Sequence, residues 1–187
     1  STYIGSEEAY SALEGIEQIL VETNKVDEYI AYTKTLTNIN MEAISSEDSL
    51  VYVTAEIQYM MGNYEQAVAG LTTYLTSFCP GGRYCTNATY YAANSFYQLK
   101  QYDQAVEQYS ALADIQGNPY MEEACMRVAE MSYDKQEYRT ALYYYQRMSE
   151  VASSSSKRIT ALLGMLRCSH NVEENSTTIN ITTQLLN

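Results

Sequence analysis

The chain has 187 residues, 46% of them hydrophobic, with 23 Asp and Glu against 11 Lys and Arg and a formal net charge of −12. That apolar share is ordinary for a folded chain and argues against disorder. The acidic balance argues against nucleic acid and against an anionic membrane surface, because both need clustered Lys and Arg.

Two prolines and eight glycines are few breakers for this length, which favours long helices joined by short turns. Ser6 before Glu7 and Glu8 reads as a helix start, a small polar cap followed by carboxylates at the positive end of the helix dipole. Leu13, Ile16 and Leu20 then make one apolar stripe, and Val26, Tyr29, Ile30 and Leu36 make another. Ser46-Glu47-Asp48-Ser49 opens the next unit in the same way. From there a short pattern recurs: Tyr64-Glu65-Gln66-Ala67-Val68, Tyr102-Asp103-Gln104-Ala105-Val106 and Tyr138-Arg139-Thr140-Ala141-Leu142. The alanines lie 38 and 36 residues apart, the length of a two-helix repeat. Ala55, Ala93 and Ala129 each stand 12 residues before their partner alanine, and Leu71, Tyr109 and Tyr145 stand four after it. A small residue on each helix lets the backbones approach, and the larger residue on the same face fills the space beside them. Pro80-Gly81-Gly82 and Gly117-Asn118-Pro119 separate successive units, and Ser153 to Ser156 form a polar bridge to the last one. In that last unit Gly164 takes the small-residue slot, Ser176 follows 12 residues later, and Glu173 replaces the tyrosine.

These residues resemble the tetratricopeptide repeat family: Ala55, Gly62, Tyr64, Ala67 and Leu71 in one unit, Ala93, Phe96, Tyr102, Ala105 and Tyr109 in the next, and Ala129, Tyr138, Ala141 and Tyr145 in the third. Gln58 and Ser132 stand where the family favours an aromatic, and Lys100 and Gln136 replace the turn glycine kept at Gly62. The wider run is similar to the long tetratricopeptide proteins of Bacteroidetes-type bacteria. The resemblance implies an all-α fold, a right-handed α-solenoid of about five helix-turn-helix repeats in one array over residues 1–187. The repeats fall at 6–40, 46–79, 84–116, 119–152 and 155–187, ten helices in five hairpins. The apolar ending Leu185-Leu186-Asn187 lacks the polar cap that arrays usually carry, so the chain is expected to be a segment of a longer array.

The inventory of reactive residues is thin. His170 is the one histidine, and nothing beside it has zinc-ligand spacing. No nucleophile elbow or phosphate loop occurs. Adjacent carboxylates such as Glu122-Glu123 point about 100° apart on a helix and do not face one another. No cofactor or metal is expected, and the chain is expected not to be an enzyme. Three Asn-x-Ser/Thr matches, at Asn87, Asn175 and Asn180, are the number chance gives in a chain rich in Asn and Thr. Cys79 and Cys85 straddle the Pro80-Gly81-Gly82 turn. Either they form a disulfide stapling two helix ends, which needs an oxidising compartment, or they are small apolar fillers.

In the family, successive first helices line a concave groove. Carried onto this chain, the inward positions are Ser49, Tyr52, Glu56 and Tyr59, then Asn87, Tyr90, Asn94 and Tyr97, then Glu123, Met126, Glu130 and Tyr133. A partner is therefore expected to meet Tyr52, Glu56, Tyr59, Tyr90, Asn94, Tyr97, Glu130 and Tyr133 in a tyrosine-rich, acidic groove. Lys and Arg are absent from those positions, which argues against the family's chaperone-binding, carboxylate-holding subtype. The expected function is a protein–protein interaction scaffold for a protein or peptide segment with basic or apolar residues, in the bacterial periplasm or cell envelope, with the cytoplasm as the other placement. The runner-up is a glycan- or small-ligand-binding helical domain of the cell envelope, in which tyrosines stack on sugars.

Overall fold

The computed structural model describes residues 7–35, 46–172, 178 and 181–184. The expectations resting on Ser6, Leu36, Glu173, Asn175, Ser176, Asn180 and the Leu185-Leu186-Asn187 ending lie outside the described residues. Among the described residues all regular structure is helical: α1 (Glu7–Glu22), α2 (Val26–Lys34), α3 (Glu47–Met60), α4 (Tyr64–Phe78), α5 (Cys85–Gln98), α6 (Tyr102–Asp114), α7 (Met121–Asp134), α8 (Tyr138–Val151) and α9 (Ser155–Asn171). Residues 178 and 181–184 are helical as well. The architecture is that of tetratricopeptide-like helical hairpins. It falls into two compact units, residues 1–99 with α1 to α5 and residues 100–187 with α6 to α9.

In the first unit α3 packs on α4 and α4 on α5, while α1 and α2 each lean on α3. The small-residue slots work by close approach. A β-carbon on Gly70 of α4 would stand 2.7 Å from that of Ala55 on α3. Ala67, Leu71 and Tyr74 of α4 close on Tyr52 and Ala55 of α3 and on Ala88 and Ala92 of α5, forming one core. Leu13 and Val21 of α1, Tyr29 and Ile30 of α2 and Leu50 of α3 form a second.

In the second unit α7 packs on α6 and α8, and α8 on α9. Asn118 organises the α6–α7 turn: its amide donates to the carbonyl oxygens of Leu112 (2.8 Å) and Ile115 (2.6 Å), and its Oδ1 accepts the Tyr120 N–H (2.8 Å). Ser154 caps α9, its Oγ accepting the Lys157 N–H at 3.3 Å, so the serine bridge is a helix start.

The turns inside the hairpins share one device. Asn24, Gly62, Lys100 and Gln136 each have positive φ, at 58°, 78°, 60° and 63°. They recur at intervals of 38, 38 and 36 residues. One left-handed residue per turn reverses the chain, and glycine holds the place only once.

The register of α9 differs from the expected one. The buried positions Ala124, Cys125, Val128, Met131 and Ser132 of α7 find buried counterparts in Ala161, Leu162, Met165, Cys168 and Ser169, an offset of 37. Gly164, expected in the slot of Ala129 at an offset of 35, instead lies under the Tyr145 ring of α8, where a β-carbon would come within 2.6 Å. The Ser169 and Thr178 hydroxyls meet at 2.9 Å, and Thr178 lies 37 residues after Ala141. A single glycine imitated the slot, and Tyr145 is the physical reason it is small.

Candidate functional site: the first-helix faces

The expected recognition positions divide between the two units. In the first, Tyr52 does not offer its ring. It is 3% exposed, stacked face to face with Tyr84 at 4.3 Å and 5° and edge-on to Tyr74 at 5.6 Å. Its hydroxyl donates to Glu56 Oε1 at 2.8 Å and is bonded by Asn87. Burial first, and the Glu56 bond second, raise its pKa well above the ordinary phenol value. Tyr52 is therefore a core residue, because a ring from the loop ahead of α5 lies over it. Asn94 is also withdrawn, 8% exposed, with its amide turned back to the Tyr90 carbonyl at 3.1 Å.

The remaining positions stay accessible. Glu56, Tyr59, Tyr90 and Tyr97 are half-buried. The Tyr59 ring meets Tyr91 of α5 at 4.6 Å and Tyr64 of α4 edge-on at 6.0 Å, so it is stiffened before any partner arrives. Ser49 donates to the Tyr84 hydroxyl at 3.5 Å.

The face extends onto α1, where sequence reasoning named no site residue. A cleft of about 310 Å³ is lined by Glu14, Glu17, Gln18 and Val21 of α1 and Ser49, Leu50 and Val53 of α3. The signal was present. The 38-residue spacing between Asn24 and Gly62 places Glu14, Gln18 and Val21 opposite Tyr52, Glu56 and Tyr59. Glu17 accepts the hydroxyl of buried Tyr29, which fixes one wall of the cleft.

In the second unit, Glu130 is exposed and Tyr133 half-buried. Arg127 bridges Glu123 (3.9 Å) and Glu130 (3.7 Å) along α7. The offset of 37 places Thr160, Leu163, Arg167 and His170 of α9 at the positions of Glu123, Met126, Glu130 and Tyr133. All four are exposed, and Leu163 is 45% so. Arg167 stands over the Tyr133 ring at 5.7 Å, a cation–π contact. The assumed register hid this arginine, and the face is mixed in charge here instead of purely acidic. A second cleft, about 430 Å³, touches Gln146, Glu150, Arg158, Met165 and Ile181 and none of these face positions.

Cys79 and Cys85 are joined in a disulfide with Cα atoms 5.7 Å apart. Cys79 follows α4 as its C-cap and Cys85 is the first residue of α5. Cys125 and Cys168 are buried thiols. Burial pushes Cys168 up to about 11 and raises Cys125 as well, so neither is a reactive thiolate. Among the described residues no three His, Cys, Asp or Glu side chains converge as metal ligands, and no helix is long and apolar enough to cross a membrane.

No protein-family model matches the chain, and no curated protein matches it. Solved structures do. The chain is similar to MamA of strain AMB-1, with a TM-score of 0.60 at 8% identity over 95% of this chain and 90% of that one. It is similar to PilF of Pseudomonas aeruginosa at 0.55 and 15%, over 94% and 74%. A tetratricopeptide repeat protein from Parabacteroides merdae matches at 0.55 and 18%, over 96% and 66%. At these identities the likeness establishes the helical-hairpin fold.

Proposed function

We propose that this chain is a non-catalytic scaffold that binds a protein partner through an extended segment laid along the first-helix face of its first unit. The supporting observation is the set of half-buried tyrosines in the first unit, Tyr59, Tyr90 and Tyr97, of which Tyr59 is stiffened by Tyr91 and Tyr64. The set runs beside Glu56 and continues into the Glu14-lined cleft. Tyrosine offers rigid contact area and a hydroxyl at little entropic cost. The carboxylates favour basic residues in the segment and, with the net charge of −12, disfavour nucleic acid. Tetratricopeptide folds generally serve protein–protein interaction, which agrees with this reading. The Cys79–Cys85 disulfide supports an oxidising compartment such as the bacterial periplasm.

The test compares retention of partner proteins on the immobilised chain with its binding to a glycan array. The expected result is a protein partner retained by the wild type and lost with Tyr59→Ala and Tyr97→Ala, with unchanged helical circular dichroism. Sugar binding abolished by Tyr97→Ala, with no protein retained, overturns the scaffold.

A further inference from the structure

We propose that the Cys79–Cys85 disulfide is a redox latch on the first-helix face of the first unit; the proposal rests on the partner-binding reading above and names the regulation of that same face. The latch holds the first turn of α5 against α3. Its N-cap, Tyr84, makes no side-chain capping bond. The bridge instead ties Cys85, the first helical residue, to Cys79 at the end of α4. The Tyr74 ring of α4 shields one edge of Tyr52; the cover over its face and its hydroxyl hangs on this turn. Tyr84 supplies the stacked ring, its N–H donates to the Tyr74 hydroxyl at 3.0 Å, and Asn87 bonds the Tyr52 hydroxyl. Gly82 completes the fit, for a β-carbon there would meet the Tyr74 hydroxyl at 2.6 Å.

Both cysteines are half-buried, not sealed, so a small or protein dithiol reaches them. One thiolate of the dithiol attacks a sulfur of the bridge, breaking the S–S bond and forming a mixed disulfide. The second thiol then displaces the cysteine. Two electrons pass from the dithiol to the chain, two protons end on Cys79 and Cys85, and the dithiol leaves as a disulfide. Released, the first turn of α5 frays, Tyr84 leaves Tyr52, and Asn87 moves off the face. The oxidised chain is thus the preorganised, binding form, and reduction weakens binding by adding an ordering cost.

Hydrogen exchange of the oxidised protein, of the same protein in excess dithiothreitol, and of a Cys79→Ser/Cys85→Ser variant tests the latch. An array of random fifteen-residue peptides serves as the binding probe. The amides of Tyr84, Ala88 and Thr89 are expected to exchange about tenfold faster or more in both reduced-like forms, with α8 unchanged. Peptides captured by the oxidised chain are expected to bind several-fold more weakly after reduction. Equal exchange in oxidised and reduced protein overturns the latch, and faster exchange with unchanged peptide affinity overturns its control of the face. Faster exchange with no peptide captured by either form leaves the latch standing and sinks the partner-binding reading instead. Reduction of the unaltered sequence keeps the test valid where the double variant folds poorly.

Discussion

Tyr84 lies flat on Tyr52, ring centroids 4.3 Å apart and planes 5° from parallel, so a loop residue closes over a position that repeat spacing alone assigns to the recognition face. Removing the upper ring exposes the lower one. Tyr84→Ala is expected to destabilise the first unit by roughly 1–3 kcal/mol, from lost apolar burial and the aromatic pair. Tyr84→Phe keeps the stack and gives up only the 3.5 Å bond from Ser49, at a cost within about 0.5 kcal/mol. Urea denaturation followed by circular dichroism reads both. Equal losses in the two variants show that the ring stack is not what matters.

The bridge that carries Tyr84 stabilises as well. Closing a loop of six residues' separation removes unfolded-state entropy equivalent to about 2 kcal/mol. The denaturation midpoint of the wild type is expected to fall in excess reductant, while Cys79→Ser/Cys85→Ser shows no further fall. An unchanged wild-type midpoint contradicts this.

Among the described residues, three of the four hairpin turns place a non-glycine residue at positive φ: Asn24, Lys100 and Gln136. The left-handed region costs an ordinary L-residue about 1 kcal/mol, partly offset by the extra unfolded-state entropy of glycine. Gln136→Gly and Lys100→Gly are therefore expected to stabilise by roughly 0.5–1 kcal/mol each, and Gly62→Ala to destabilise by about 1 kcal/mol. Thermal melting of the three single variants checks the sign. A glycine variant that melts below wild type means that turn is held by something other than its backbone angle.

The hairpin pattern was legible because it rests on local geometry. Small residues 12 apart bracket the turns at Gly62, Lys100 and Gln136, and Ala55, Ala67, Ala93, Ala105, Ala129 and Ala141 are all buried. What escaped depends on residues distant in sequence. Nothing in the Tyr52 pattern announces that Tyr84, 32 residues on, will cover it. The same holds for α9, where Gly164 is small to admit the Tyr145 ring, a requirement of tertiary packing that looks like a repeat signature. With the register moved, Arg167 enters the face unnoticed. On α1 the information was present but weak, because Asn24 marks that turn where a glycine would have been conspicuous.

Gly70 tests the close approach of α3 and α4. Alanine is the better helix former by about 1 kcal/mol, yet its β-carbon would sit 2.7 Å from that of Ala55, inside any real contact. Gly70→Ala is expected to destabilise by roughly 1–3 kcal/mol. Adding Ala55→Gly relieves the clash, so the double variant is expected to be more stable than the single losses sum to, a coupling of about 1 kcal/mol or more. Strict additivity in urea denaturation shows that the helices separate freely at this point.

Alkaline pH probes the second unit through Tyr145. Its ring is buried against Gly164, and burial, with the Glu130 charge adding to it, pushes the phenol from 10.0 up to about 12. The folded chain keeps this proton where the unfolded chain has released it. The stabilisation is complete below the unfolded value, erodes as pH rises above it, and is lost through the folded value, from pH 10.0 to about 12. Tyr52 and Tyr29 are shifted in the same direction, so the first unit weakens over alkaline pH too. The urea midpoint is expected to fall between about pH 9 and about pH 11.5, and to fall less steeply in Tyr145→Phe, which has no proton to lose. A phenylalanine variant whose midpoint follows the wild-type slope rules out Tyr145 as a source of the alkaline loss, because only the shifted phenol distinguishes the two chains.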